Sequence, residues 1–413
     1  MRVLFTTVDW TGHLYPMVPL GWALQAAGHQ VRVLCSSGVA RAAEQAGLVP
    51  LPLLENTGVV QARMNNHLRA REGLSRAAGL PPVHPLTGQP MASLDEFDLD
   101  GFLRGATALN SRWLERRGRL LAELATGWQP DLVVHDLASL DGRIVADHAG
   151  VPAVAHLWGL VADAETEDRM DYRPERIDAD FAHFELRGTG AEVRHLIDPT
   201  PNTLAPPTRA ARLATRFVPY NGPGRLPDRL RRDPLPPTDR RRVCVVWGTS
   251  VTKVYGPDSF LVPRLVEALR GLPDVEALLA VTTEDAARLG GLPDNVRLLE
   301  QTPLHLLLPS CHAVIHNGAA GSAMTALAAG VPQLAIAVSD EQYGNGARIA
   351  AAGAGLVLDG PGSTPQDLRE AVRRLVTDPG LTAAADLIGR ENAARPAPVS
   401  LVPRLEALAA GIP

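Results

Sequence analysis

A histidine closing an apolar run, with a turn of small residues after it, is where chemistry first becomes legible in this chain. Ala313-Val314-Ile315-His316 passes into Asn317-Gly318-Ala319-Ala320-Gly321-Ser322 and on to Ala326-Leu327-Ala328-Ala329-Gly330-Val331-Pro332. The pattern reads as strand, tight turn, helix and turn. A helix entered in this way points unbonded backbone N–H groups and the positive end of its dipole at whatever lies over the turn, which suits an anion. A histidine at the strand end adds a donor aimed at the same place, and the combination fits a diphosphate. A glycine-rich turn can also serve only the close packing of strand and helix; the surroundings favour a ligand. The apolar run Val243 to Trp247 ends in Gly248-Thr249-Ser250, and Gln333 to Val338 ends in Ser339-Asp340-Glu341-Gln342-Tyr343-Gly344-Asn345. Ligands of doubly wound sheets bind at the carboxyl ends of strands, and three such ends here carry hydroxyls, amides or carboxylates.

A second centre lies near the N-terminus. Gly12-His13, with Pro16, follows the β-branched run Val3 to Thr7. An imidazole with an ordinary pKa near 6.5 can act as a general base once a carboxylate orients it. Asp136, just after the run Leu132 to Val134, is the natural partner, with Asp9 and Asp141 as competitors. The bland alternative is a loop histidine that caps its turn.

These residues need elements to hold them. Val3 to Thr7, Gln30 to Cys35, Asp131 to Val134 and Ala153 to His156 read as buried strands, with a helix from Met17 to Ala27 and another from Asp136 to His148. Val243 to Trp247, Ala277 to Val281, Val296 to Leu299, Ala313 to His316 and Gln333 to Val338 repeat the theme, with helices at Phe260 to Leu269 and Gly344 to Ala352. Such alternation predicts an α/β fold with parallel sheets. The Pro-, Gly- and Arg-rich stretch 217–242 reads as a linker between domains at 1–216 and 243–390. An amphipathic helix near the end of 391–413 is expected to pack back on the first domain. Glu55 to Gly105 and Ala162 to Leu204 read as long irregular regions that would wall the acceptor site. Asp98-Leu99-Asp100 has the form of a metal-binding DxD but reads as a solvated turn.

Composition excludes several classes. A length of 413 residues with 46% hydrophobic content can fill two cores, and a net charge of −5 argues against a nucleic-acid surface. The basic run Arg229 to Arg232 with Arg240 to Arg242 reads as solvated linker. Cys35, Cys244 and Cys311 fit small buried hydrophobes in a reducing compartment. No signal-like or membrane-spanning run is seen, so the expected location is the cytoplasm, with no membrane partner.

Taken in order, Gly12-His13-Leu14-Tyr15-Pro16, Pro130-Asp131-Leu132-Val133-Val134-His135-Asp136, Pro219-Tyr220-Asn221-Gly222, Gln301-Thr302-Pro303-Leu304-His305, His316 through Ser322, and Glu341-Gln342 with Asn345 resemble one known family along nearly the whole chain. It is that of the nucleotide-sugar-dependent glycosyltransferases of GT-B type, in the bacterial branch that moves deoxysugars from TDP-sugars to antibiotic scaffolds. The resemblance implies two Rossmann-like domains facing across a cleft. It implies His13 as the general base, Asp136 as its partner, and inversion at the anomeric carbon. The diphosphate would be met by His316, Gly318, Ala319, Ala320, Gly321 and Ser322 with Thr249 and Ser250, and the nucleobase by Gln301, Thr302, Pro303 and Leu304. Glu341 and Gln342 would bond the sugar, and Trp10 and Leu14 would face the acceptor. No cofactor and no metal are required, the co-substrate being a TDP-sugar or UDP-sugar and the acceptor a small hydrophobic molecule. A homodimer or a helper protein is a further partner to consider. Gln301, Asn317, Ala319 and Glu341 depart from residues frequent in the family, without removing a catalytic group. Alternatives on the same scaffold are a C-glycosyltransferase, a nucleotide-sugar epimerase or hydrolase, and an inactive helper protein. A dinucleotide-dependent dehydrogenase is disfavoured because the first turn lacks a GxGxxG.

Overall fold

Apolar β-branched runs that must be covered on both faces form parallel strands under layers of helix, and this chain builds two such sheets. The computed structural model describes residues 1–161, 193–224, 239–299 and 302–412. The first sheet comprises β1 (Arg2–Thr6), β2 (Gln30–Ser36), β3 (Val49–Leu54), β4 (Leu132–Asp136), β5 (Ala153–His156), β6 (His195–Asp198) and β7 (Ala211–Ala214). The second comprises β8 (Arg241–Val246), β9 (Val275–Ala280), β10 (Val296–Leu298), β11 (Ala313–His316), β12 (Gln333–Ala337) and β13 (Gly355–Asp359). Their orders are β3-β2-β1-β4-β5-β6-β7 and β10-β9-β8-β11-β12-β13, with all pairings parallel. In each, the strand order reverses direction between the first strand and the fourth, β1/β4 and β8/β11. Those are the switch points where an open α/β sheet leaves a crevice. The expected fold of two Rossmann-like units is present.

Several local expectations change. The first helix starts before Met17, as a turn of helix at Thr11–Leu14, a 3₁₀ turn at Tyr15–Met17 and a helix at Val18–Ala26. Pro16 has no N–H to give the ladder, so the segment tightens there. Within the supposedly irregular 55–105 lie the helix Gly58–Arg71 and the start of a 30-residue helix, Leu99–Trp128. Asp98 of the DxD string caps that helix, accepting from the Gly101 amide at 2.8 Å. Of the second such region, 162–192 lies outside the described residues, as do Arg229 to Arg232. Arg242 is not solvated: it sits buried on β8, its Nε 2.8 Å from Glu276 Oε2.

A hydrophobic core underlies each sheet, yet the chain crosses between them. Ala77 and Leu80 pack into the second core beside Trp247 and Phe260. Leu401, Val402, Leu405 and Leu408, from the helix Val402–Ala409 and the turn before it, join Val3 and Phe5 in the first. Leu160, Leu204 and Phe217 meet Met324, Leu327 and Ile388. Asn392 secures this seam, exchanging bonds of 2.9 and 3.1 Å with the Phe217 backbone.

Leu405→Ala should expose how much the first unit depends on the chain's last helix. Leu405 is fully buried, so the truncation should cost about 2–5 kcal/mol, read as an early unfolding transition in urea; a loss under about 1 kcal/mol would mean that helix is a loosely held appendage.

Candidate active site

On the first sheet, the register that pairs Thr6 of β1 with His135 of β4 brings the turns beyond both strands together. His13 Nδ1 lies 2.7 Å from Asp136 Oδ2, and the other carboxylate oxygen accepts from the Ala138 amide at 2.7 Å. Asp136 is 1% exposed, and these donors compensate its buried charge. The competing carboxylates are occupied: Asp9 accepts from Ser36 Oγ and the Gly58 amide, and Asp141 is held by Arg117 through two bonds of 2.5 Å. With Asp136 accepting from Nδ1–H, the lone pair of the neutral imidazole is on Nε2. Burial lowers the His13 pKa, but the charge and hydrogen bond of Asp136, with the charge of Glu341, outweigh it and hold the group above its ordinary 6.5.

The His13 ring lies against Trp158, with centroids 4.2 Å apart and planes tilted by 30°. Trp158 Nε1–H in turn donates to Glu341 Oε1 at 3.1 Å. Glu341 belongs to the helix Asp340–Ala351 of the second sheet, so this contact joins the two halves of the site.

On the second sheet, β8, β11 and β12 are neighbours and their carboxyl ends converge. Gly318 has φ +83°, and a Cβ there would lie 2.5 Å from the Gln342 carbonyl oxygen, so only glycine fits. Asn345 Nδ2 donates to the Gly318 carbonyl at 3.0 Å. The helix Ala320–Ala328 has no side-chain cap, and Ala323 makes its first i→i−4 bond back to Ala319. The amides of Ala320, Gly321 and Ser322 therefore lie ahead of the helical ladder as donors.

His316 requires a correction. Its Nε2–H donates to Gln333 Oε1 at 2.8 Å, and its Nδ1 accepts the Gly318 amide at 2.8 Å. Burial pushes its pKa down to about 4 against the partial opposition of Gln333, so the ring is neutral. Both nitrogens are spent inside the protein, and His316 shapes the turn instead of donating to a ligand. Gly318, and Ala319 through its 3.3 Å bond to Asn317 Oδ1, likewise give their amides to neighbours. Asn317 Nδ2, by contrast, is buried without a partner among the described residues, next to Gly248.

The other expected residues divide. Thr249 is exposed and Ser250 half-buried after β8, and Ser322 is half-buried in the first turn of the helix Ala320–Ala328. Thr302 and Leu304 are buried, Leu304 inside an apolar cluster, leaving backbone as what they offer; Pro303 precedes the helical turn Leu304–Leu307. Gln301 lies outside the described residues. Gln342 spends its side-chain Oε1 on the amides of Val338 and Ser339, at 2.8 and 3.2 Å. Leu14 is fully buried in the first core, so an acceptor does not reach it, whereas Trp10 is half-buried at the start of the Thr11–Leu14 turn. Among the described residues no three His, Cys, Asp or Glu side chains gather as metal ligands, and no helix is long and apolar enough to cross a membrane.

Comparison with known families fits this two-unit site. Residues 22–248 match the N-terminal domain, and residues 264–408 the C-terminal domain, of the erythromycin biosynthesis protein CIII-like family. The chain belongs to that family. Among CIII-like relatives, the 10-deoxymethynolide desosaminyltransferase of Streptomyces venezuelae is 32% identical over 437 residues, spanning 99% of this chain and 97% of its own. The L-demethylnoviosyl transferase of Streptomyces niveus is 34% identical over 409 residues, 98% of each chain. The spinosyn rhamnosyltransferase SpnG, solved also with thymidine diphosphate and with spinosyn aglycone, superposes with a TM-score of 0.74 at 30% identity, over 98% of this chain and 99% of that one. VinC in complex with dTDP gives 0.72 at 29% identity over all of both chains. The CIII-like chain described here is thus a GT-B glycosyltransferase of natural-product biosynthesis.

Asp136→Asn should drop the His13 titration midpoint below 6.5, because burial then acts without its main opponent; the histidine Cε1–H resonance in NMR reads this directly. A group with a raised folded pKa stabilises fully below its unfolded value and loses that contribution as pH rises through the folded one. The stability gap between wild type and Asp136→Asn should therefore be widest at about pH 5–6 and narrow at higher pH. A gap that widens with pH would contradict the pairing.

Proposed function

We propose that the protein is an inverting, metal-independent glycosyltransferase that moves a deoxysugar from TDP to a hydroxyl of a hydrophobic natural product. The observation that carries this reading is the bond between His13 and Asp136, facing across the cleft an acidic sugar-side residue, Glu341, and a helix start with free amides. His13 Nε2 takes the proton of the acceptor hydroxyl while its oxygen attacks the anomeric carbon. The bond from that carbon to the diphosphate breaks on the opposite face, and the nucleoside diphosphate leaves with the electron pair. Asp136 holds the ring and stabilises the imidazolium that forms, as in other base–carboxylate pairs.

Charge on the departing diphosphate is met by fixed donors: the amides of Ala320, Gly321 and Ser322 at the positive end of a helix, the Asn317 Nδ2, and the hydroxyls of Ser250 and Ser322. Preorganised donors of this kind stabilise a leaving anion without a metal. Glu341 bonds sugar hydroxyls, and the backbone of Thr302 and Pro303 lines the base. The desosaminyl and 2-deoxy-L-fucose transferases among its relatives, and the thymidine diphosphate and aglycone bound in SpnG, support a TDP-deoxysugar donor and a natural-product acceptor.

His13→Ala should lower kcat by about 10²–10⁴-fold with TDP affinity little changed. Calorimetric titration of TDP and UDP, with chelator present, checks the donor side. TDP should bind, and Asn317→Ala should weaken it by about 10–150-fold, the cost of one hydrogen bond to a charged group. Unaltered turnover in the first variant would remove His13 as base, and TDP binding that requires a divalent cation would overturn metal independence.

A further inference from the structure

Trp158 has no role in the reading above, and it is the residue that touches both halves of the site. It is 2% exposed, on the segment that follows β5. One face of its indole lies on His13. Its ring nitrogen donates to Glu341 across the boundary between the units. Its body packs with Leu137, Leu157, Val161 and Ala320, the last being the first residue of the amide-donating helix. The next residue, Gly159, is pressed so closely on that helix that an added Cβ would lie 2.6 Å from the Ala320 Cβ. Segment and helix are therefore held in one position relative to each other.

We propose that Trp158 is a positioning residue that couples the base to the sugar-side carboxylate, fixing the plane of the His13 ring by stacking and holding Glu341 beside it through the indole N–H. Asp136 anchors Nδ1, which leaves rotation of the ring plane to be set, and the indole face sets it. An aromatic face also favours a cation lying over it, so the imidazolium formed on proton transfer gains a partner that the neutral ring lacks. The N–H bond keeps the negative charge of Glu341 where the imidazole feels it. The charged groups acting on His13 are then Asp136 from β4 and Glu341 from the helix Asp340–Ala351; Asp9, on the same turn as His13, is tied to Ser36 and the Gly58 amide. The coupling has a functional meaning only if Glu341 bonds the sugar and His13 is the base, and to that extent it rests on the proposed function.

The test needs no substrate. The His13 Cε1–H resonance, identified by its absence in His13→Ala, is titrated by NMR in wild type, Trp158→Leu, Trp158→Phe, Glu341→Gln and the double variant Trp158→Phe/Glu341→Gln. Trp158→Leu removes face and donor together and should lower the midpoint by about half a pH unit or more, a threefold loss in proton affinity. Glu341→Gln should lower it in wild type, but by a smaller step in the Trp158→Phe background, where the aromatic face remains and the tether is gone. A residue that only fills space would leave the Glu341→Gln step the same size in both backgrounds; that result, or a Trp158→Leu midpoint equal to wild type, overturns the proposal. Trp158→Phe keeps a ring in the cavity, so the double-variant comparison stands even if Trp158→Leu does not fold. Failure of TDP to bind wild-type protein would instead overturn the transferase reading and leave this coupling to be judged on the titrations.

Discussion

A carboxylate withdrawn almost wholly from water must be surrounded by donors or give up its charge, and Asp136 is the group on which this site turns. Its position follows from the sheet. β4 lies directly beside β1, so the residue ending β4 faces the turn that leaves β1, and a histidine on that turn can reach it. The Ala138 amide takes the second oxygen. The other nearby acids are drawn off by Ser36, the Gly58 amide and Arg117. His13 Nδ1 is thereby left paired with Asp136, with the charge of Glu341 adding to its effect from the other unit.

The second half of the site is built by backbone. Gly318 takes a conformation that side chains resist, with the carbonyl of Gln342 packed where its Cβ would be. Asn345 grips its carbonyl and the His316 ring its amide. The turns after β11 and β12 are interlocked before any ligand arrives, so the cost of ordering them is met in folding and not in binding. His316 and Gln342 contribute through this scaffolding. Their polar atoms face inward, and what they offer a ligand is the shape of the loops they hold.

Much of this was legible in the sequence. Strands buried on both faces read as continuous apolar runs, and the principal strands at both switch points were found that way. β3 is hidden from local pattern, since Val49-Pro50-Leu51-Pro52 breaks the usual strand signal and edge strands tolerate proline. The helix Gly58–Arg71 is obscured by polar residues around most of its circumference; what fixes it is contact with the rest of the protein. The pair His13 and Asp136 could be guessed because both residues end strands of one sheet. The inward turn of His316 could not, because its partner Gln333 lies on the neighbouring strand, and a strand's register is invisible to local pattern. Leu14 next to His13 escapes local pattern for a similar reason: adjacent residues on a helical turn face different ways, and here one enters the core while the other meets Asp136. Trp158 and Asn317 acquire their surroundings only where the two sheets, or two turns of one sheet, meet.

The placement of Ala77 and Leu80 has a consequence for evolution and engineering. These residues precede the first strand of the second sheet by well over a hundred positions, yet they complete the core beneath it, while the chain's last helix completes the core beneath the first. Each unit thus borrows a piece from the other's stretch of sequence. A hybrid made by joining two homologues between the two sheets would inherit a mismatched plug in one core and a foreign strap across the other. Recombination that respects the physics would carry the segment around Ala77 together with the second unit and return the terminal helix to the first, so that the units of inheritance in such a protein are not the units seen by cutting the chain once.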